Sequence, residues 1–368
     1  MSSQPFFLSW AISFMATPPL LDWPSFPPFT HGGSNYACCL TRDGSRLAIA
    51  GRTGLATGGA TVWNVSSGKI VQQDKLAGHA VALSGDGRYL AGDSGHGFTI
   101  TDLQTRKVVW DASDTTHFSC VNNLAFTSDG KFLVTSSGDD TVKVWNAPAK
   151  TLQAIFFFNS RRVYGSPWRV HYPDLKNGDP PPENAKVIAV MDGDIPQGIY
   201  QFSFSPDDKS IAIALGIDNV KILEITTGKL LKSFRTDVAG VVSVRFSNDG
   251  KLLVIGGALK KGKIELWNVE EGKRLLTLPG HTDSVLHVAI SPDNKTILSG
   301  GVIDGARVWD VDTGKQKSAY YQAEQTRVVG LGFFPDGKTF YTLKLARGSA
   351  IDFWDTATGK QVTLPRHK

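Results

Sequence analysis

HTDSVLHVAISPDNKTILSGGVIDGARVWDVDTGK, residues 281–315, holds the unit from which most of the chain is built. An alternating apolar stretch runs into a turn at Asp293, and a short apolar run follows from Lys295 to Leu298. A glycine-rich loop then leads to a second run ending in Trp309-Asp310, and Thr313-Gly314-Lys315 turns the chain again. Short runs of two-residue periodicity bounded by Gly and Asp predict strands, here four per unit joined by turns.

Outward from this stretch, the first turn recurs at Asp43, Asp86, Asp129, Asp207, Asp249 and Asp336, so that the full series is spaced 43, 43, 78, 42, 44 and 43 residues apart. Second runs end at Trp63-Asn64, Trp145-Asn146, Trp267-Asn268 and Trp354-Asp355, whereas Thr101-Asp102 and Leu223-Glu224 stand in for the pair in two units. Val242-Ser243-Val244-Arg245-Phe246 sets three apolar side chains on one side of a strand. A lone four-stranded sheet of this kind leaves both faces apolar, and stacking such sheets radially buries them while leaving only short edges. The expectation is an all-β, seven-bladed β-propeller over residues 31–368, with four-stranded antiparallel blades.

The 78-residue interval exceeds the mean of 43 by 35 residues. Either an irregular insertion lies around 159–185, or 159–198 is a decayed eighth blade. Lys186 to Met191 matches the closing strand that begins at Lys229, and Pro180-Pro181-Pro182 cannot serve as a central strand, which points to seven blades with an insertion.

Turn, tryptophan and second turn recurring in one register resemble the WD-repeat family, over roughly Asn35 to Pro365. In that family a histidine, a Ser or Thr, an Asp and the tryptophan form a hydrogen-bonded set inside a blade, because buried indole, imidazole and hydroxyl groups need partners. The resemblance assigns this role to His117, Thr135, Asp139 and Trp145, and to His281, Ser299, Asp304 and Trp309. The first unit keeps His31 and Trp63 but has Ala50 at the hydroxyl position.

Composition narrows the chemistry. With 41% apolar and 20% charged residues the chain can bury a large core, and its charge of +5, from 39 basic and 34 acidic side chains, is spread rather than blocked. Three cysteines give neither a disulfide framework nor zinc spacing, which suits a reducing, cytoplasmic setting. The apolar stretch Phe6 to Ala16 is too short to cross a bilayer and has no basic flank, although export stays open. Histidines stand singly, so no metal and no cofactor is expected.

Cys38-Cys39 is the pair that supports an enzymatic alternative, since it is similar to the adjacent cysteines of propeller oxidoreductases using pyrroloquinoline quinone. Within a strand, however, successive side chains point to opposite faces, which predicts a buried, unbonded pair.

Loops between second and third strands open on the face that WD-repeat proteins commonly use for partners. Here they carry Arg52, Lys260, Lys261, Lys263, Lys344 and Arg347, and Arg327 enters the last blade on the same side. Such a basic arc would attract a protein partner with an acidic surface, or in a further alternative nucleic acid or an anionic membrane. Residues 1–30 form an apolar, Pro-rich arm in which Phe6, Phe7, Trp10 and Phe14 could dock on a partner, pack on the chain's own propeller or be a targeting remnant. The resulting expectation is a non-catalytic protein-protein interaction scaffold, a subunit of a larger complex.

Overall fold

At six of the seven Asp turns a hydroxyl two residues upstream donates to the carboxylate at 2.5–2.7 Å: Thr41, Ser84, Thr127, Ser205, Ser247 and Ser291 are the donors. In all seven turns the same carboxylate accepts the backbone N–H two residues downstream at 2.9–3.1 Å, including at Asp336, where Phe334 replaces the hydroxyl. The residue after each Asp has positive φ, being Gly in five turns and Asp208 and Asn294 in the others. These are side chains and backbones suited to a tight reversal. The hydroxyl bond is the main cause holding Asp43, Asp129, Asp207 and Asp293 below the usual carboxylate range. At Asp86 and Asp249 partial burial acts upward, and the hydroxyl and backbone bonds outweigh it.

The computed structural model describes residues 34–53, 57–74, 80–113, 116–117, 119–158, 186–189, 199–216, 218–257, 262–321, 326–345 and 350–362. They form seven antiparallel sheets, over residues 34–74, 81–112, 121–157, 202–235, 241–278, 285–320 and 327–362, numbered here as blades one to seven. In every blade, strand order in space equals order in sequence. Seven apolar clusters each bridge two neighbouring blades. One joins Leu47, Ile49 and Trp63 of blade one to Val329, Leu343 and Phe353 of blade seven, so the ring closes. The seven-bladed propeller is therefore the fold. Among the described residues no helix is long and apolar enough to cross a membrane.

Blade three differs from the sequence expectation. Thr151–Phe157 is its closing strand, antiparallel to Thr141–Asn146. Lys186–Ala189 does not close a blade but adds as a fifth strand, parallel to Thr151–Phe157. The alternation in 186–191 matched a closing strand because parallel and antiparallel edge strands ask for the same local pattern. The described residues form seven blades in a closed ring, with no eighth among them. The insertion around 159–185 and the arm of residues 1–30, with Phe6, Phe7, Trp10 and Phe14, lie outside the described residues.

First strands of neighbouring blades are stitched together at the hub. Their inner edges have no ladder partner, so their N–H groups need other acceptors. Gln201 Oε1 accepts from Val244 N at 3.2 Å and from Ser243 Oγ at 2.6 Å, and Ser203 Oγ accepts from Phe246 N at 3.1 Å. Ser243 Oγ in turn accepts from Val288 N at 3.0 Å. Blades four, five and six are thus linked by side chains that reach across to the next inner edge.

Candidate interaction faces and the sets that fix them

The buried polar side chains of blades three and six are arranged by simple donor arithmetic. An indole N–H can only donate, and Trp309 Nε1 donates to Ser299 Oγ at 2.8 Å. The Ser299 hydroxyl hydrogen is then directed to His281 Nε2 at 2.7 Å, and His281 Nδ1 donates to Asp304 at 2.8 Å. Blade three repeats the set: Trp145 to Thr135 at 2.9 Å, Thr135 to His117 Nε2 at 2.8 Å, and His117 Nδ1 to Asp139 at 3.0 Å. Burial first, and then the Lys143 ammonium, pushes the His117 imidazole below its usual range, in keeping with a neutral ring.

Lys143 is itself buried, two residues before Trp145, with its Nζ on the Thr116 carbonyl. Burial depresses the ammonium to about 8 while Asp139 acts in the opposite sense. Asp139 stays well below the usual carboxylate range: burial acts upward, and the His117 and Lys143 charges and the His117 and Thr141 hydrogen bonds outweigh it. The eight residues of the two sets thus bond to one another inside their blades.

Two more sets escaped the sequence reading. In blade seven Tyr321 takes the place of the histidine: its hydroxyl donates to Asp352 and lies 3.0 Å from Thr342 Oγ1, which accepts from Trp354 Nε1 at 2.9 Å. In blade five Trp267 donates to Glu265 at 2.8 Å, and Arg274 pairs with that carboxylate at 2.9 Å. A tyrosine just ahead of the first strand was the available signal for the former. In blade one, the strand register puts Ile49, not Ala50, across from Thr61 and hence at the hydroxyl position, because the loop after it is longer than in blades three and six. Blade two, lacking the tryptophan, stacks Phe98 and Trp110 edge-on to each other and to Trp145 of blade three, at centroid distances of 4.9–6.0 Å.

Cys38 belongs to the apolar cluster between blades seven and one, and Cys39 to the cluster between blades one and two. Both are free thiols on opposite faces, and burial pushes each up to about 12.

The structure treats the basic arc unevenly. Lys344 is not in a loop but on the second strand of blade seven, Thr339–Leu345, with Nζ 3.1 Å from Asp352 and 4.7 Å from the centre of the Tyr321 ring. Its charge is neutralised locally, and it is removed from the arc for that reason. Arg327 opens the first strand of blade seven and pairs with Leu345, which sets it at the same end of the blade as the second-to-third-strand connection. Lys260, Lys261, Arg347 and the side chain of Arg52 lie outside the described residues.

A family model for the WD domain, G-beta repeat, matches residues 110–146, 228–268 and 272–310. The chain carries recognisable WD repeats in its seven-bladed propeller. It is 33% identical over 150 residues to an uncharacterized WD repeat-containing protein of Synechocystis, which covers 40% of this chain and 41% of that one. It is 26% identical over 211 residues to human WD repeat and SOCS box-containing protein 1, covering 51% and 49%, and 24% identical over 245 residues to the small ribosomal subunit protein RACK1 of Caenorhabditis elegans, covering 62% and 74%. The matched stretches thus span less than half the length of the first two of these WD-repeat relatives.

Proposed function

We propose that this WD-repeat propeller is a non-catalytic protein-interaction scaffold, built into a larger complex. The observation that carries this reading is the rim. Outermost strands expose aliphatic side chains, Ile70 at 51% and Val108 at 44% in blades one and two, and Leu231 at 45% and Leu275 at 44% in adjacent blades four and five. Leu231 and Leu275 are each the extra residue of a bulge in their strands, which turns them outward. Apolar side chains clustered on an edge are suited to burial by another protein. Relatedness to a ribosomal subunit protein supports a role inside an assembly, and three free thiols suit a cytoplasmic setting.

The partner carries an acidic surface and approaches the face bearing Arg52, Lys260, Lys261, Arg327 and Arg347, with the arm of residues 1–30 as a second point of attachment. Opposite charge raises association rates more than final affinity. Reversal of Lys260 and Lys261 to Glu is expected to slow association with that partner and flatten its salt dependence, as read by surface plasmon resonance over a salt series, with an unchanged thermal midpoint. Equal on-rates at low salt would remove the acidic partner. A chain that native mass spectrometry finds free of any stoichiometric protein in extracts of its source would remove the scaffold.

A further inference from the structure

The penultimate residue of every first strand occupies the same height around the hub, one before the large apolar residue that ends the strand. Six of these seven are Cys39, Ala82, Ala125, Ser203, Ala289 and Gly332. The seventh is Arg245. Six first strands thus carry small side chains at this position, and blade five alone carries a guanidinium. Protein surrounds Arg245 on most sides, yet the side chain is exposed, the combination expected of a group lining a water-accessible channel.

No carboxylate among the described residues pairs with Arg245. Its electrostatic neighbours are the phenol of Tyr341, the thiol of Cys38 and the imidazole of His287. Gly332 brings Tyr341 there: a β-carbon at Gly332 would stand 2.7 Å from the phenol oxygen. The thiol and the phenol are both held neutral at physiological pH, chiefly by burial. His287, half-buried on the first strand of blade six, is pushed down to about 4 by burial, then by Arg245, then by Arg327. Arg327 opens the first strand of blade seven, at the end of the blade where the second-to-third-strand connection lies. The Arg245 guanidinium therefore faces the hub with no carboxylate among the described residues paired to it, an arrangement that focuses field toward a negative ligand.

We propose that the central channel binds a small oxyanion, a phosphate or carboxylate group, seated on the Arg245 guanidinium beside His287. A guanidinium fork matches the geometry of either group. The inference stands on the hub alone and is independent of the scaffold reading. Calorimetric titration of the full chain with inorganic phosphate and with succinate distinguishes the two sources. At least one is expected to bind, with about tenfold or greater loss in Arg245→Gln and partial recovery in Arg245→Lys.

Sulfate, whose charge is constant over the range, is expected to bind more tightly at pH 4.5 than at pH 7, because the neighbouring His287 gains its proton as the pH falls toward 4 while the Arg245 guanidinium stays charged and the Cys38, Cys39 and Tyr341 groups stay neutral; His287→Gln should abolish that difference. Since no carboxylate among the described residues pairs with Arg245, Arg245→Gln should keep its thermal midpoint in anion-free buffer, and only the wild-type midpoint should rise when the anion is added. Equal anion affinity in wild type and Arg245→Gln, or no binding of phosphate or succinate by the wild type, overturns the proposal, and neither result bears on protein partners.

Discussion

Trp309→Ala is expected to lower the stability of the propeller by about 3–5 kcal/mol. The indole is 1% exposed and belongs to the cluster joining blades five and six. Its loss opens a cavity against Gly280, whose absent β-carbon would stand 2.9 Å from the ring, and it strips Ser299 of a donor. Trp309→Phe keeps most of the volume and separates the two contributions, with a smaller expected loss. The measurement is the urea midpoint at constant slope, and an Ala variant with the parental midpoint would show that the set does not hold the blade together.

Asp139→Ala should cost a comparable amount for a different reason. The carboxylate offsets the buried ammonium of Lys143 and accepts from His117 and Thr141 at 3.0 and 2.6 Å. Removing one member of a buried charge constellation leaves the other uncompensated, typically at about 3–5 kcal/mol. The double variant Asp139→Ala, Lys143→Met removes both charges and should recover part of the loss. A double variant no more stable than Asp139→Ala alone would mean that the ammonium was never the source of the penalty.

Acid should destabilise the ring in two windows. The imidazoles of His117 and His287 titrate below their usual value in the folded chain, so the unfolded chain takes up protons first, and stability present above about pH 6.5 is lost as pH falls toward 4. The six depressed turn carboxylates contribute stability present above about pH 4 and lost below it. Urea midpoints followed from pH 7 to 4.5 should fall, and less steeply in His287→Gln; a flat profile would contradict neutral buried imidazoles.

What the sequence revealed was whatever depends on nearest neighbours along the chain. The Asp turns were legible because hydroxyl, carboxylate and positive-φ residue all sit within four positions, and the blades followed from their spacing. The fifth strand at Lys186–Ala189 was not, since parallel and antiparallel edges call for the same local pattern. Lys344 looked like a free loop charge because its partner Asp352 comes from the next strand, and the substitution of Tyr321 for a histidine hid a complete set. The isolation of Arg245 was likewise invisible, because it is a property of seven positions spread over the whole chain.

The side-chain stitches between first strands bear on how the ring breathes. Amides of Val244, Phe246 and Val288 border the channel, where an unpaired edge would exchange its hydrogens with water quickly, yet each is bound to an acceptor on the neighbouring blade. Opening any one of them requires two blades to separate, while a bulged outer strand can fray by itself. Local unfolding therefore starts at the circumference and reaches the axis last, which makes the hub the slowest-relaxing part of the molecule even though it borders solvent.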